Sequence, residues 1–223
     1  MEIKQSKKID DYFNVKKTQE VKVDYYVYTD GSCLNNGKED STGAIGLYFG
    51  VNDNRNLSEK LNGKQTNNTA ELRAILKTYE IIKEDIFNNK NIVIYTDSDY
   101  SIKCLTTYGK KCELDNWSKN IPNKDLVKNI YNTYKNVKNV KFKHIKAHTN
   151  NTDIHSIGNN EADKLAQQAL GIKPINKIYL CVPFSRKEEI KKLGGRWDSR
   201  DKKWYILENN ENKERICNMF PVI

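Results

Sequence analysis

No stretch of this chain stays apolar for long. The longest mainly apolar run, Ile45 to Val51, covers seven residues. A membrane helix needs about 18–20, so a membrane span is excluded. The N-terminus Met1-Glu2-Ile3-Lys4-Gln5 lacks the apolar core of a signal peptide, so an intracellular, non-secreted protein is expected. Cysteine is sparse: Cys33, Cys104, Cys112, Cys181 and Cys217 are odd in number and widely spaced, with no C-x-x-C. That excludes a disulfide framework or a cysteine zinc site and fits a reducing setting.

What is present is polar and basic. Hydrophobic residues make up 37% and charged residues 30%, with a net charge of +9. This is enough apolar material for a core. The charge suits a polyanion. It is also what an AT-rich coding sequence gives, since 32 of the 38 cations are Lys and Asn occurs 28 times. Charge alone therefore leaves both explanations open.

The chain divides into a charged mobile tail (1–21), a large domain (22–171), a break at Gly171-Ile172-Lys173-Pro174 with a linker over 172–176, and a small basic domain (177–223). The last 49 residues carry 11 basic and 7 acidic side chains, the most basic stretch per residue. In the large domain, Val23 to Asp30 alternates as a strand does, and two further strands follow at Ala44–Val51 and Asn56–Asn62. From Thr69 the period becomes helical, with Leu72, Ile75, Leu76, Tyr79, Ile82 and Ile86 on one face and Thr66 or Asn67 as cap. Asn91–Thr96 is a short apolar strand of the doubly buried kind. Helices over Ser98–Thr107 and Asp125–Tyr134, a strand at Val140–Ile145 and a last helix with Ala162, Leu165, Ala166 and Ala169 on one face complete the order βββ-α-β-α-α-β-α. An α/β fold is expected, a mixed sheet with helices on both faces.

Four acids fall where such a fold gathers them. Asp30 ends the first strand (Thr29-Asp30-Gly31-Ser32). Glu71 lies in the first turn of the long helix, Asp97 ends the apolar strand, and Asp163 lies in the first turn of the last helix. Ligands of open α/β sheets bind outside strand ends. Four converging carboxylates repel one another unless cations neutralise them. Oxygen ligands favour Mg²⁺ or Mn²⁺.

At these residues the chain resembles type 1 ribonuclease H, from about Tyr25 to Ala169. The likeness rests on Thr-Asp-Gly-Ser, Asn-Asn-Thr-Ala-Glu-Leu, Tyr-Thr-Asp-Ser, Ala-His-Thr and Gly-Asn-Asn-Glu-Ala-Asp, in the family's order. The resemblance implies a ribonuclease H-like five-stranded mixed sheet. It implies that Asp30, Glu71, Asp97 and Asp163 hold two Mg²⁺ about 4 Å apart, with Asp30 between them and Mn²⁺ as a substitute. The implied reaction cleaves the RNA strand of an RNA–DNA hybrid, leaving 5′-phosphate and 3′-hydroxyl ends. The family's loop histidine corresponds to His148. The segment from His148 to Asp163 is long, fifteen steps, and holds a second histidine, His155; His148 is the preferred candidate.

Discrimination of RNA needs contacts to 2′-hydroxyls across the shallow minor groove. By resemblance these come from Gly31, Ser32, Cys33, Asn35, Asn67 and Asn68. Lys64, Thr66 and Asn123 match a pocket for a DNA phosphate, and Trp117 matches a tryptophan of the DNA-strand channel. The family's basic helical protrusion is shortened here to Tyr108–Lys119. Residues 177–207 are similar to a small domain marked by Gly-x-Arg-Trp-Asp and Trp-Tyr; an α+β unit is expected, with Arg196, Arg200, Lys202 and Lys203 beside Trp197 and Trp204 to grip nucleic acid. In the tail, Ile9, Tyr12 and Phe13 fall on one face of a helical turn and resemble the peptide that binds a PCNA-type sliding clamp, with Ser6 where that peptide usually has Gln. A monomer is expected. The rival readings are a non-cleaving hybrid-binding module and another nuclease of the same fold, of the resolvase or integrase kind.

Overall fold

The computed structural model describes residues 22–146, 153–172, 176–198 and 201–223. Ile9, Tyr12 and Phe13 of the tail, and His148, lie outside the described residues. The large domain runs β1 (Tyr25–Leu34), β2 (Thr42–Tyr48), β3 (Leu57–Lys60), α1 (Asn67–Phe87), β4 (Ile92–Thr96), α2 (Asp99–Leu105), α3 (Thr107–Leu114), α4 (Lys124–Tyr134), β5 (Val140–His144) and α5 (Ile154–Ala169). Its five strands lie in the order β3-β2-β1-β4-β5. The β1–β2 and β2–β3 pairs are antiparallel, and β1–β4 and β4–β5 are parallel.

Strand alternation explains why helices cover both faces. Val27, Ile92 and Ile94 point into a core shared with Leu72, Ile75 and Ile130 of α1 and α4. Tyr28, Val93 and Tyr95 point the other way, into a smaller cluster closed by Ala162 of α5. The α1 helix starts where Thr66 caps it. The Thr66 side chain accepts from the Thr69 N–H, and the Thr69 hydroxyl accepts from the Thr66 N–H, a reciprocal box that satisfies two otherwise orphaned donors.

Three elements depart from the sequence expectation. The β1 strand continues four residues past Asp30 to Leu34. Its parallel pairing with β4 stops at Thr29↔Thr96, while antiparallel pairing with β2 continues to Leu34↔Thr42. Asp30 therefore marks the end of one ladder, not of the strand. The shortened protrusion is itself a helix, α3, so three helices separate β4 from β5. The last helix begins at Ile154, with Asp153 accepting from the His155 and Ser156 N–H groups. Asp163 is thus its tenth residue rather than part of its first turn.

The C-terminal domain comprises β6 (Lys177–Leu180), α6 (Lys187–Lys192), β7 (Arg196–Asp198), β8 (Lys203–Leu207) and α7 (Lys213–Met219). Its antiparallel sheet has the order β6-β8-β7. Leu180, Ile190, Trp204, Ile206, Ile216 and Phe220 form its core. Among the described residues, no helix is long and apolar enough to cross a membrane.

Candidate active site

The parallel ladder of β1 and β4 delivers two aspartates to one edge. Tyr28 and Asp30 lie on the same face of β1, and Tyr95 and Asp97 are related in the same way at the end of β4. Glu71 arrives from the opposite face of the sheet, and Gly31 makes that crossing possible. A Cβ at Gly31 would stand 2.1 Å from the Glu71 backbone nitrogen and 2.4 Å from the Ala70 carbonyl carbon. Only glycine permits α1 to press this close to β1 at Glu71, which is the helix's fifth residue and opens its second turn rather than lying in its first. The result is a set of carboxylate oxygens, one each from Asp30, Glu71 and Asp97, that all lie within 4.8 Å of one another.

The protein does little to neutralise this cluster. Asp30 is 7% exposed and Glu71 8%. Burial, then the charges of Asp97 and Asp163, push the Asp30 carboxyl up to about 8, partly offset by the Gly31 N–H. Glu71 is driven well above the ordinary carboxylate range, first by burial and then by Asp30 and Asp97. Its Oε2 is buried without a hydrogen-bond partner among the described residues. Hard oxygen donors crowded against their own repulsion, one of them buried and unpartnered, fit a divalent cation such as Mg²⁺. Asp163 stands beside this trio. It is near enough for its charge to act on Asp30 and Glu71, and its Oδ1 accepts from Gln167 Nε2 at 2.7 Å.

Sequence reasoning missed Asn159. It lies one helical turn before Asp163, is 3% exposed, and its Nδ2 donates to Asp97 Oδ2 at 3.3 Å. Its Oδ1 is buried without a partner among the described residues. The available signal was the i, i+4 spacing to Asp163 on one helix face.

His155 is held among tyrosines. Its Nδ1 lies 3.0 Å from the Tyr28 hydroxyl and its Nε2 3.1 Å from the Tyr95 hydroxyl. Its ring stacks on Tyr95 at 4.2 Å and meets Tyr26 edge-on at 4.9 Å. Burial lowers its pKa.

The remaining candidates form two groups. The second half of β1 lies against the start of α1: the Cys33 thiol donates to the Gln65 carbonyl at 3.4 Å, and the Asn67 N–H donates to Asn36 Oδ1 at 3.3 Å. These contacts set Cys33 and Asn36 against Gln65 and Asn67. Asn35 takes a left-handed turn (φ 52°), with its amide donating to Asp40 at 2.7 Å. Thr66 is spent on the α1 cap and exposed Lys64 pairs with Glu39 at 2.8 Å. Asn123 adopts the left-handed conformation at the start of α4 (φ 56°). Trp117 is 9% exposed and packs 6.2 Å from Tyr131. It also lines a cavity of about 360 Å³ with Tyr108, Lys111, Leu114 and Lys119. In the C-terminal domain, Trp204 is core, while Trp197 is 51% exposed. Arg200 lies outside the described residues.

Comparison with known proteins accords with this geometry. The ribonuclease H family profile matches residues 22–171, and a domain of unknown function, DUF5710, matches residues 177–216. The ribonuclease H of Schizosaccharomyces pombe is 39% identical over 152 residues, 64% of this chain and 51% of that protein. A probable ribonuclease H of Acanthamoeba polyphaga mimivirus is 30% identical over 193 residues, 84% of this chain and 83% of that protein. Human ribonuclease H1 is 32% identical over 64% of this chain and 48% of its own length. The chain thus spans about half the length of its fungal and human relatives. Among solved structures, the foamy viral protease-reverse transcriptase in complex with dsDNA shares 25% identity at a TM-score of 0.52, over 66% of this chain and 94% of that one. A type 1 ribonuclease H with the type 2 active-site motif, LC9-RNase H1, superposes at a TM-score of 0.51 with 22% identity, over 66% of this chain and 71% of that one, and so shares the fold. Three converging carboxylates, two of them buried, on a β3-β2-β1-β4-β5 sheet, and a family match covering two-thirds of the sequence, lead to one conclusion: this chain belongs to the ribonuclease H family.

Proposed function

We propose that the chain is an endoribonuclease that cleaves the RNA strand of RNA–DNA hybrids, leaving 5′-phosphate and 3′-hydroxyl ends. The observation that carries this reading is the convergence of Asp30, Glu71 and Asp97 within 4.8 Å, on a chain of this family. These three carboxylates hold two Mg²⁺ ions together with Asp163. Bound there, Mg²⁺ supplies Lewis-acid charge to phosphoryl oxygens and acidifies water.

The chain's own residues do the rest. Asn159 orients Asp97, and Gln167 holds Asp163 at the rim. Two tyrosine hydroxyls engage His155, and the His144 ring lies 3.1 Å from the Asp97 carbonyl; His148 serves proton transfer, as the family resemblance implies. Gly31, Ser32, Cys33, Asn35, Asn67 and Asn68 read 2′-hydroxyls. Lys64, Thr66 and Asn123 take a DNA phosphate, and Trp117 lines the DNA strand's path. The chain works as an intracellular monomer, and residues 1–21 recruit it through Ile9, Tyr12 and Phe13 to a PCNA-type clamp. A peptide of the tail should bind such a clamp, and Tyr12→Ala with Phe13→Ala should remove that binding.

The test is incubation with Mg²⁺ and end-labelled hybrid, duplex RNA and duplex DNA. Cleavage of hybrid RNA alone is expected. Hybrid binding without cleavage points to a recognition module, and cleavage of duplex DNA points to a nuclease of the resolvase kind; either result overturns the proposal.

A further inference from the structure

Among the described residues of the C-terminal domain, α6 and α7 pack on one side of the sheet. Ile178 and Leu180 of β6 and Trp204 and Ile206 of β8 face the core shared with α6 and α7. Alternation turns Tyr179, Tyr205, Lys203 and Arg196 to the other face. Register places them together: Tyr179 is opposite Tyr205, and Tyr205 is opposite Arg196. The two tyrosine rings lie 6.1 Å apart. The Tyr179 ring is fixed through its hydroxyl, 2.7 Å from Asp201 and 3.0 Å from Asp198. Lys177 Nζ lies 4.5 Å from the Tyr205 ring centroid, and Lys203 Nζ lies 5.9 Å from that of Tyr179.

Charge on this face is asymmetric. The buried acid Asp198 is neutralised by Lys177 Nζ at 2.7 Å. Arg196 and Lys203 are exposed, and neither has a carboxylate partner among the described residues. The face therefore offers two half-buried aromatic rings, one of them fixed through its hydroxyl, flanked by exposed cations without a carboxylate partner among the described residues. Such a pairing suits a strand with unpaired bases, whose π-faces stack and whose phosphates need neutralising. A paired duplex hides its base faces.

We propose that the open face of the β6-β8-β7 sheet, centred on Tyr179 and Tyr205 with Arg196 and Lys203, binds single-stranded nucleic acid. It is a second polynucleotide site, separate from the carboxylate cluster, and does not depend on the nuclease reading. It would hold an unpaired extension of a strand engaged elsewhere on the chain.

The test uses the full chain and a fluorescent oligo-deoxythymidine of about 20 nucleotides, read by anisotropy across a salt series. Arg196→Glu with Lys203→Glu, both exposed and checked for parent-like thermal unfolding because Lys203 stands opposite Asp198, should weaken binding at least about tenfold. It should also lower the magnitude of the salt slope by about 1.4, two phosphate contacts' worth for a single strand. Tyr205→Leu should weaken binding about tenfold, and Tyr205→Phe should retain it, because stacking needs the ring and not the hydroxyl. Unchanged affinity and slope in the double charge reversal would overturn the proposal. So would a Tyr205→Phe variant as weak as Tyr205→Leu, or parent chain that binds blunt duplex through this face more tightly than the single strand.

Discussion

Asp30 and Asp198 are equally buried, at 7% and 8% exposure, and they live in opposite electrostatic surroundings. Asp198 receives Lys177 Nζ at 2.7 Å and the Tyr179 hydroxyl at 3.0 Å. Its charge is compensated within the fold, and the fold uses it to tie β6 to β7. Asp30 faces Asp97, Asp163 and Glu71, with a backbone N–H as relief. Burial alone thus separates nothing. A buried acid beside a cation is a structural tie, whereas a buried acid among acids is a site awaiting a partner from outside the chain.

The largest expected effect tests that contrast directly. Asp30→Asn or Asp97→Asn should reduce hybrid cleavage by on the order of 10³-fold or more, since cation binding is worth several kcal/mol to such a reaction. Asp198→Asn should leave cleavage of short blunt hybrids at the parent rate. Comparable losses in both would erase the distinction.

Gly31→Ala comes next. The new methyl meets backbone atoms of α1 rather than a yielding side chain. The variant should lose about 1–3 kcal/mol of stability and most of its activity, as α1 carries Glu71 away. Denaturant midpoints measure the first and hybrid cleavage the second.

Stability should also divide the two aspartates by sign. Asp198→Asn should cost about 1–2 kcal/mol, a figure discounted because Lys177 is 43% exposed and rehydrates. Asp30→Asn without metal should be neutral or stabilising, because it removes repulsion. The pH dependence follows. A folded-state pKa raised from 3.8 to about 8 means that the folded chain holds a proton the unfolded chain has released. Metal-free stability should therefore fall as pH rises across that window, and Asp30→Asn should flatten the fall.

His155 gives the smallest effect, of the opposite sign. Its pKa lies below the ordinary 6.5 because its ring is buried among tyrosines. The unfolded chain then binds the extra proton first, so stability should decline as pH falls below about 6.5. His155→Phe should show less of that decline in the same titration.

Much of this arrangement was legible in the sequence because short motifs coincide with element ends. Thr-Asp-Gly-Ser, Ala-Glu-Leu and Tyr-Thr-Asp-Ser each join an apolar element to an acid. What escaped reading has local causes. Past Asp30, the residues Gly31-Ser32-Cys33 carry no hydrophobic alternation, so pairing with β2 alone extends the strand unseen. The first turns of α5 bury Ser156, Gly158 and Asn159 instead of an aliphatic stripe. Gly158 is there because a Cβ would stand 2.4 Å from the Tyr28 ring. With that helix start hidden, Asp163 reads as a first-turn acid and Asn159 carries no signal of its own. The α3 helix is hidden because Gly109 is its one buried residue among those described, so it carries no apolar stripe.

On this reading, the carboxylates at the ends of β1 and β4 form, with Glu71, a divalent-cation site held against their own repulsion. Melting temperatures of the parent chain and of Asp30→Asn with Asp97→Asn, metal-free and with Mg²⁺, test it most directly. Without metal, the double variant should melt at or above the parent. Mg²⁺ at about a hundredfold excess over Kd should raise the parent by about 5–10 °C and leave the variant where it was. A parent indifferent to Mg²⁺, together with a variant that melts lower in its absence, would contradict the claim.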